Sequence, residues 1–461
     1  MQITNKFALP HFRSAPKEVL MPGSSEPIQI HSLKTLSAAD RKRILDRGFV
    51  ETESVGTTVQ EIIDNVRQRG DAALVEYAKK LDKVDIDERR LQVSKDEIKD
   101  AYHQVDRKVV KAIETLSGNI QRFHQAQLPQ RMWSMEISPG LLGGQVFIPL
   151  EKAGSYVPGG RGWFPSSVMM SVIPAKVAGV PEVVVCTPPM PDGRVNPGVL
   201  VACDITGADK VFRISGAQSI AAMALGTASV PKVDKVTGPG SKWVLAAFRL
   251  LQGEVAVGTQ AGPGEGLILA DETANPEHVA ADLIIQAEHG SDSTGVLVTD
   301  SRTLAEAVLR CIGSHIDELD EAHRVFVLDS LRKYGAIIVT ETHQEAIDFA
   351  NEYAVEHLEI QTRDVMHDLM KVKNAGGVYL GDYTPLSCGC FGSGPNHVLP
   401  TARKAFVEGG LSTMHFLKAV SFEYFSKEGL ATLKQAMVDL ADYEGFPAHR
   451  NAILERFKEE K

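Results

Sequence analysis

Residues 183–226 read VVVCTPPMPDGRVNPGVLVACDITGADKVFRISGAQSIAAMALG. The opening run, 183–186, is short and apolar, as a strand covered on both faces would be. Turn residues and a helical stretch follow, then a second apolar run at 211–214 and a helix over 218–226. Strand and helix alternating at this spacing build βαβ units, and therefore a parallel sheet.

The alternation extends in both directions. Upstream, 145–148 has strand character and is ended by Pro149, leading into the turn from Gly154 to Gly160 and a helix over 166–178. Downstream come a helix over 242–251 and a strand over 266–269. A second series predicts strands at 295–298, 325–328, 336–339 and 377–380, with helices over 276–288 and 344–353 between them. Two similar α/β layers are thus expected, a common way to form a cleft. Before them, Val59, Ile62, Ile63 and Val66 fall on one helical face, followed by helices over 72–81 and 95–125. Pro10, Pro16, Pro22 and Pro27 oppose any long early helix, so the first fifty residues read as an arm. The last fifty read as helical, at 430–440 and 447–461.

A chain of 461 residues is too long for one simple core. Its 43% hydrophobic and 23% charged residues are ordinary globular composition. A net charge of −10 gives no electrostatic reason to expect nucleic acid or an anionic membrane as partner. The basic run Arg41-Lys42-Arg43 reads as a solvated helix end. Five cysteines (Cys186, Cys203, Cys311, Cys388 and Cys390) fit a reducing, cytoplasmic compartment better than a disulfide framework. Neither a secretory leader nor a membrane span is expected.

Several pieces carry candidate chemistry. The turns Gly154 to Gly160 and Gly238-Pro239-Gly240-Ser241 each join strand to helix, where backbone N–H groups can face an anion. Neither has the dinucleotide fingerprint, and both also suit plain turns. Gln286 and His289, three apart at a helix end, offer an amide oxygen and an imidazole to zinc, or a cap and a surface histidine. Glu356-His357 supplies two proton-transfer groups or a helix-end ion pair. Cys388 and Cys390 lie in a glycine-rich stretch close to His397, and a metal there would need further ligands. His449 opens the last helix, as a ligand or a surface residue.

The ensemble resembles the histidinol dehydrogenases. Ala217-Gln218, Gly238-Pro239-Gly240, Ala261-Gly262-Pro263, Gln-Ala-Glu-His-Gly at 286–290, Glu356-His357-Leu358, Asn-His-Val-Leu-Pro-Thr at 396–401 and Ala448-His449 occur in that family's order. The resemblance runs from about Val59 to the C-terminus. It implies a zinc enzyme, one metal per subunit, that oxidises a primary alcohol to a carboxylate in two NAD-dependent steps through an aldehyde. It further implies a homodimer with two Rossmann-like domains flanking a cleft, and a tail that reaches the partner subunit. The expected division is an arm (1–50), a first α/β domain (51–155 with 265–408), a second (156–264) and a helical tail (409–461).

Carried over by position, Gln286, His289 and His449 match zinc ligands that also face the substrate. The fourth ligand in the family is an aspartate, and Cys390 stands in its place. His357 matches the general base, and Glu356 the residue that activates water at the aldehyde stage. His397 and Glu444 match substrate contacts, while Tyr156 and Gln218 match NAD contacts. Ser241 replaces an asparagine that helps hold NAD, and Gly264 replaces a substrate-contacting serine. These departures leave open an anionic diol, as in the related sulfopropanediol dehydrogenases, with Arg161, Arg403 or Lys404 to hold the anion, and also a non-catalytic relative that binds a small molecule.

Overall fold

The computed structural model describes residues 27–47, 53–160, 162–259 and 261–458. Strands are numbered along the chain: β1 (Ile30–Ser32), β2 (Met132–Ser138), β3 (Leu141–Pro149), β4 (Lys152–Tyr156), β5 (Glu182–Thr187), β6 (Lys210–Arg213) and β7 (Lys235–Thr237). They continue as β8 (Ala256–Val257), β9 (Glu265–Ala270), β10 (Thr294–Thr299), β11 (Ala336–Val339), β12 (His357–Gln361), β13 (Gly377–Leu380) and β14 (Leu417–Phe425). The chain divides into two units, one formed to Gln127 and by Leu150–Phe416, the other by Leu128–Pro149 and Leu417–Lys461.

The larger unit holds two all-parallel sheets, ordered β6-β5-β4-β7-β8 and β1-β11-β10-β9-β12-β13. Counted along the chain within each sheet, both orders run 3-2-1-4-5, with β1 added outside β11. The order reverses between β4 and β7, and again between β9 and β12. In doubly wound sheets such a reversal opens a crevice beyond the strand ends.

Burial explains why these strands were readable. Val184, Cys186, Phe212 and Val236 pack with Val59, Ile63 and Val66 of the helix Glu53–Arg69, the apolar face expected there. In the second sheet Leu267, Val296, Ile338 and Leu358 point to one core, while Ile268, Leu297 and Ile337 point to another. Strands covered on both faces become continuous apolar runs.

Several expectations are corrected. Residues 325–328 belong to the helix Glu321–Tyr334, started by the Asp320 carboxylate accepting from Ala322 and His323 N–H. A four-residue apolar run carries no period of its own, so strand and helix look alike. The helix expected over 276–288 stops at Leu283, and a single 3-10 turn, Ala287–His289, follows. Gly154 is not a turn residue but lies inside β4. Residues 145–148 fall in β3, which pairs antiparallel with β2 and β14 in the smaller unit rather than joining a parallel sheet. The tail therefore begins with a strand, and its helices are Lys427–Tyr443 and Pro447–Glu455. The β14 side chains are exposed or half-buried, and the alternation of Val420, Phe422 and Tyr424 with Ser421 and Glu423 is a short period-2 signal that the helical reading of the tail passes over. Within the expected arm, the described part carries β1 and the helix Ala38–Leu45. Arg41 there pairs with Glu352.

All five cysteines are free thiols. Among the described residues no helix is long and apolar enough to cross a membrane.

Candidate active site

Glu265 opens β9 fully buried, next to β12, whose first residue is His357. The Glu265 N–H donates to Glu356 Oε2 at 2.9 Å. Its carbonyl lies 3.3 Å from His357 Nδ1, which is also 3.3 Å from Glu356 Oε2. Two acceptors around Nδ1 place the ring proton there, so a neutral His357 presents the lone pair of Nε2. That Nε2 is buried without a hydrogen-bond partner. Tyr379 stacks on the imidazole at 5.8 Å between centroids. Burial works against charge on His357, but the Glu356 carboxylate and the Cys390 thiolate outweigh it and raise its pKa to about 10. A cation taking up the thiolate charge would remove one of those causes.

Gln286 is buried at the turn where the helix gives way, with Nε2 3.7 Å from Cys390 Sγ. Cys390 sits on a short helix, Leu386–Phe391. Burial opposes its ionisation, yet the neighbouring His289 and His357 imidazoles hold the thiol down to about 6. His289 itself is exposed, on the rim. His397 donates from Nδ1 to the Cys390 carbonyl at 2.7 Å, and burial lowers its pKa to about 4. It is therefore a neutral imidazole at physiological pH. Gly264 faces this group too: a Cβ there would stand 2.6 Å from Gln286 Oε1 and 3.5 Å from His289 Cδ2.

Tyr156 ends β4, and Gln218 lies in the helix Gly216–Leu225 that follows β6. The Tyr156 hydroxyl accepts from Gly216 N–H at 3.3 Å, and burial raises its pKa to about 12. Gln218 Nε2 donates to Ser215 Oγ at 3.0 Å, while its Oε1 is buried and unpartnered. Ser215 is held by the Asp82 carboxylate. After β7, Gly238 has φ +127°, and a Cβ there would lie 2.1 Å from the Tyr156 carbonyl oxygen, so only glycine fits. Ser241 then starts the helix Lys242–Leu251, exposed and making no side-chain cap. Gly240 N–H donates to Ala261 O at 3.1 Å, and Gly262 N–H to Thr401 Oγ1 at 2.8 Å. One segment thus leads from the crevice to Glu265.

The structure brings Gly264, Gln286, His289, Glu356, His357, Cys390 and His397 together, and Tyr156 with Gln218 beside the Ser241 turn. Glu444 and His449 lie in the smaller unit, exposed, with His449 against the Phe446 ring. Arg403 donates to Glu352 O and lies over Phe406, and Lys404 is half-buried. Arg161 lies outside the described residues. Among the described residues, no three His, Cys, Asp or Glu side chains group as a metal site. Sequence reading missed Arg47, Glu265, Tyr379 and Glu359. Glu265 had a signal, an acid heading the apolar run 266–270, whereas Arg47 had none.

A buried Glu–His pair beside a low-pKa thiol, in a doubly wound α/β chain with a second crevice, is the arrangement of an acid–base enzyme. Residues 45–457 match the family model described as Histidinol dehydrogenase. The chain is 43% identical to a histidinol dehydrogenase of Methanosarcina barkeri over 92% of its length and 97% of that protein. It is equally 43% identical to a histidinol dehydrogenase homolog of Colwellia psychrerythraea, over 92% of its length and 96% of that protein. The crystal structure of histidinol dehydrogenase from Elizabethkingia anophelis superposes with a TM-score of 0.89 at 32% identity, covering 94% of this chain and 99% of that one. The chain belongs to the histidinol dehydrogenase family, and is an oxidoreductase.

Proposed function

We propose that the chain is a zinc-dependent, NAD-linked dehydrogenase that oxidises a small polar primary alcohol through its aldehyde to the carboxylate, with L-histidinol as substrate. The observation that carries this reading is the Glu356–His357 pair, held by the backbone N–H and carbonyl of Glu265, with His357 Nε2 left unpartnered. Hydride loss from an alcohol needs the hydroxyl proton removed, and His357 in its neutral form, reached once the Cys390 thiolate charge is taken up, offers Nε2 to accept it as the hydride leaves. The aldehyde must then be hydrated before a second hydride can leave. Glu356 takes the proton from that water, through the carboxylate oxygen not engaged by Glu265. His397, a neutral donor and acceptor, orients the substrate. Each step consumes one NAD, so each alcohol yields two NADH.

Gln286, His289 and Cys390 fit a metal in donor chemistry, an amide oxygen after rotation, an imidazole and a readily formed thiolate. They would hold zinc with His449 from the tail of a second copy as the fourth donor. Bound there, zinc supplies Lewis-acid polarisation of the substrate oxygen. Tyr156, Gln218 and the Ser241 turn would hold NAD, at the reversal where doubly wound sheets bind nucleotides. Support for a homodimer comes from the antiparallel sheet, where Met132, Met135, Ile137, Leu142, Val420 and Tyr424 are all more than 40% exposed. Five free thiols suit the cytoplasm.

One observation favours a second substrate. Gln286 Oε1 fills the space of a side chain at 264, so this pocket lacks one hydroxyl contact. An anionic diol such as 2,3-dihydroxypropane-1-sulfonate would undergo the same chemistry. The test is NADH production by zinc-loaded protein offered L-histidinol and the sulfonate side by side. Histidinol turnover supports the main reading, sulfonate turnover alone supports the second, and silence with both contradicts the two together.

A further inference from the structure

Arg47 follows the helix Ala38–Leu45 and is 1% exposed, among the most deeply buried large side chains of the protein. Its guanidinium lies 3.4 Å over the Tyr353 ring. Nη1 donates to Leu45 O at 3.0 Å, and Nη2 to Glu265 Oε2 at 3.0 Å and to Ala354 O at 3.4 Å. The second oxygen of Glu265 accepts from Ala402 N–H at 2.7 Å. Arg47 and Glu265 are 218 residues apart in sequence, so the pair joins distant segments.

A buried ion pair is weak evidence of stabilisation, because apolar replacements often serve as well. The place of this pair is what gives it meaning. The backbone N–H of Glu265 is the partner of Glu356, and its carbonyl that of His357. Ala354, another acceptor of Arg47, lies two residues before Glu356. One planar cation therefore ties the head of β9 to the chain entering β12, with the acid–base pair between. Its guanidinium reaches three acceptors, Leu45 O from Nη1 and both Glu265 Oε2 and Ala354 O from Nη2, while lying over the Tyr353 ring, a spread that a single ammonium cannot reproduce.

We propose that Arg47 and Glu265 form a positioning clamp that sets the Glu356–His357 pair for proton transfer. The inference rests on the proposed acid–base role of that pair. A loosened clamp leaves substrate contacts in place but misaligns the proton acceptors, so turnover falls while KM holds.

The test compares Arg47→Lys, Arg47→Met and the double variant Arg47→Met/Glu265→Gln in the full-length, zinc-loaded protein. Melting temperature and zinc content are measured beside kcat, KM and the imidazole 15N resonances of His357. A clamp lowers kcat about ten-fold or more in both Arg47 variants, with KM within about two-fold. The double variant, which leaves no charge unpaired, recovers melting temperature but not kcat. The His357 resonances shift in every variant. Folded variants with unchanged kcat and unchanged resonances overturn the proposal, as does a double variant that recovers activity together with stability. If the wild type oxidises no alcohol offered, the functional reading fails. The resonances then decide the clamp on their own.

Discussion

At the scale of single residues, the site depends on side chains whose burial is costly unless a partner compensates. His357 is the clearest case, and His357→Gln should cut kcat by about 10²–10⁴-fold, the usual range for a positioned base. Substrate affinity should change little, and equal losses in kcat and binding would assign it to binding alone. Cys390→Ala should lower zinc content and rate together, and intact zinc content in that variant would remove the thiol from the ligand set.

Glu359 shows a different side of burial. It follows His357 on the same face of β12, where Gln361 Nε2 bridges it to Asp282. Burial and the Asp282 carboxylate raise its pKa far above the usual carboxylate range. The folded chain keeps a proton that the unfolded chain releases, so this contribution is full at acid pH and is lost as pH rises. Glu359→Gln should therefore melt higher than the wild type at pH 8, by roughly 2 °C, with a smaller gap at pH 5. A gap that does not depend on pH would show that no proton is retained.

At the scale of elements, legibility followed burial. The runs at 183–186 and 266–269 were readable because parallel strands covered on both faces are apolar throughout. β12 went unread as a strand for the opposite reason, since His357, Glu359 and Gln361 are polar yet fully buried. Polar residues alternating inside a buried strand mark chemistry more than solvent. The site motifs were legible as motifs, yet Arg47 reaches them only through contacts 218 and 307 residues away. The turn after β7 carries its own test. Gly238→Ala would push a Cβ onto the Tyr156 carbonyl at a φ that alanine resists. NAD affinity, measured by titration, should fall at least about ten-fold, since a wrong backbone there removes the crevice wall. Unchanged NAD binding would place the cofactor elsewhere.

At the scale of the whole molecule, the larger unit supplies every expected site residue except Glu444 and His449, which the smaller unit carries exposed. Its antiparallel sheet, unread in the sequence, leaves Met132, Leu142, Val420 and Tyr424 exposed on one face. Sedimentation should find a dimer. His449→Ala should lower zinc content without dissociating it, whereas undiminished zinc would show that the tail completes no metal site.

The measurement that bears most directly on the central claim is the NADH yield from a limiting amount of L-histidinol, with zinc-loaded protein and excess NAD. Two NADH per alcohol, with histidine as the product, is the expected result. One NADH per alcohol, with the aldehyde accumulating, would contradict the second role assigned to Glu356, and no NADH at all would contradict the histidinol reading itself.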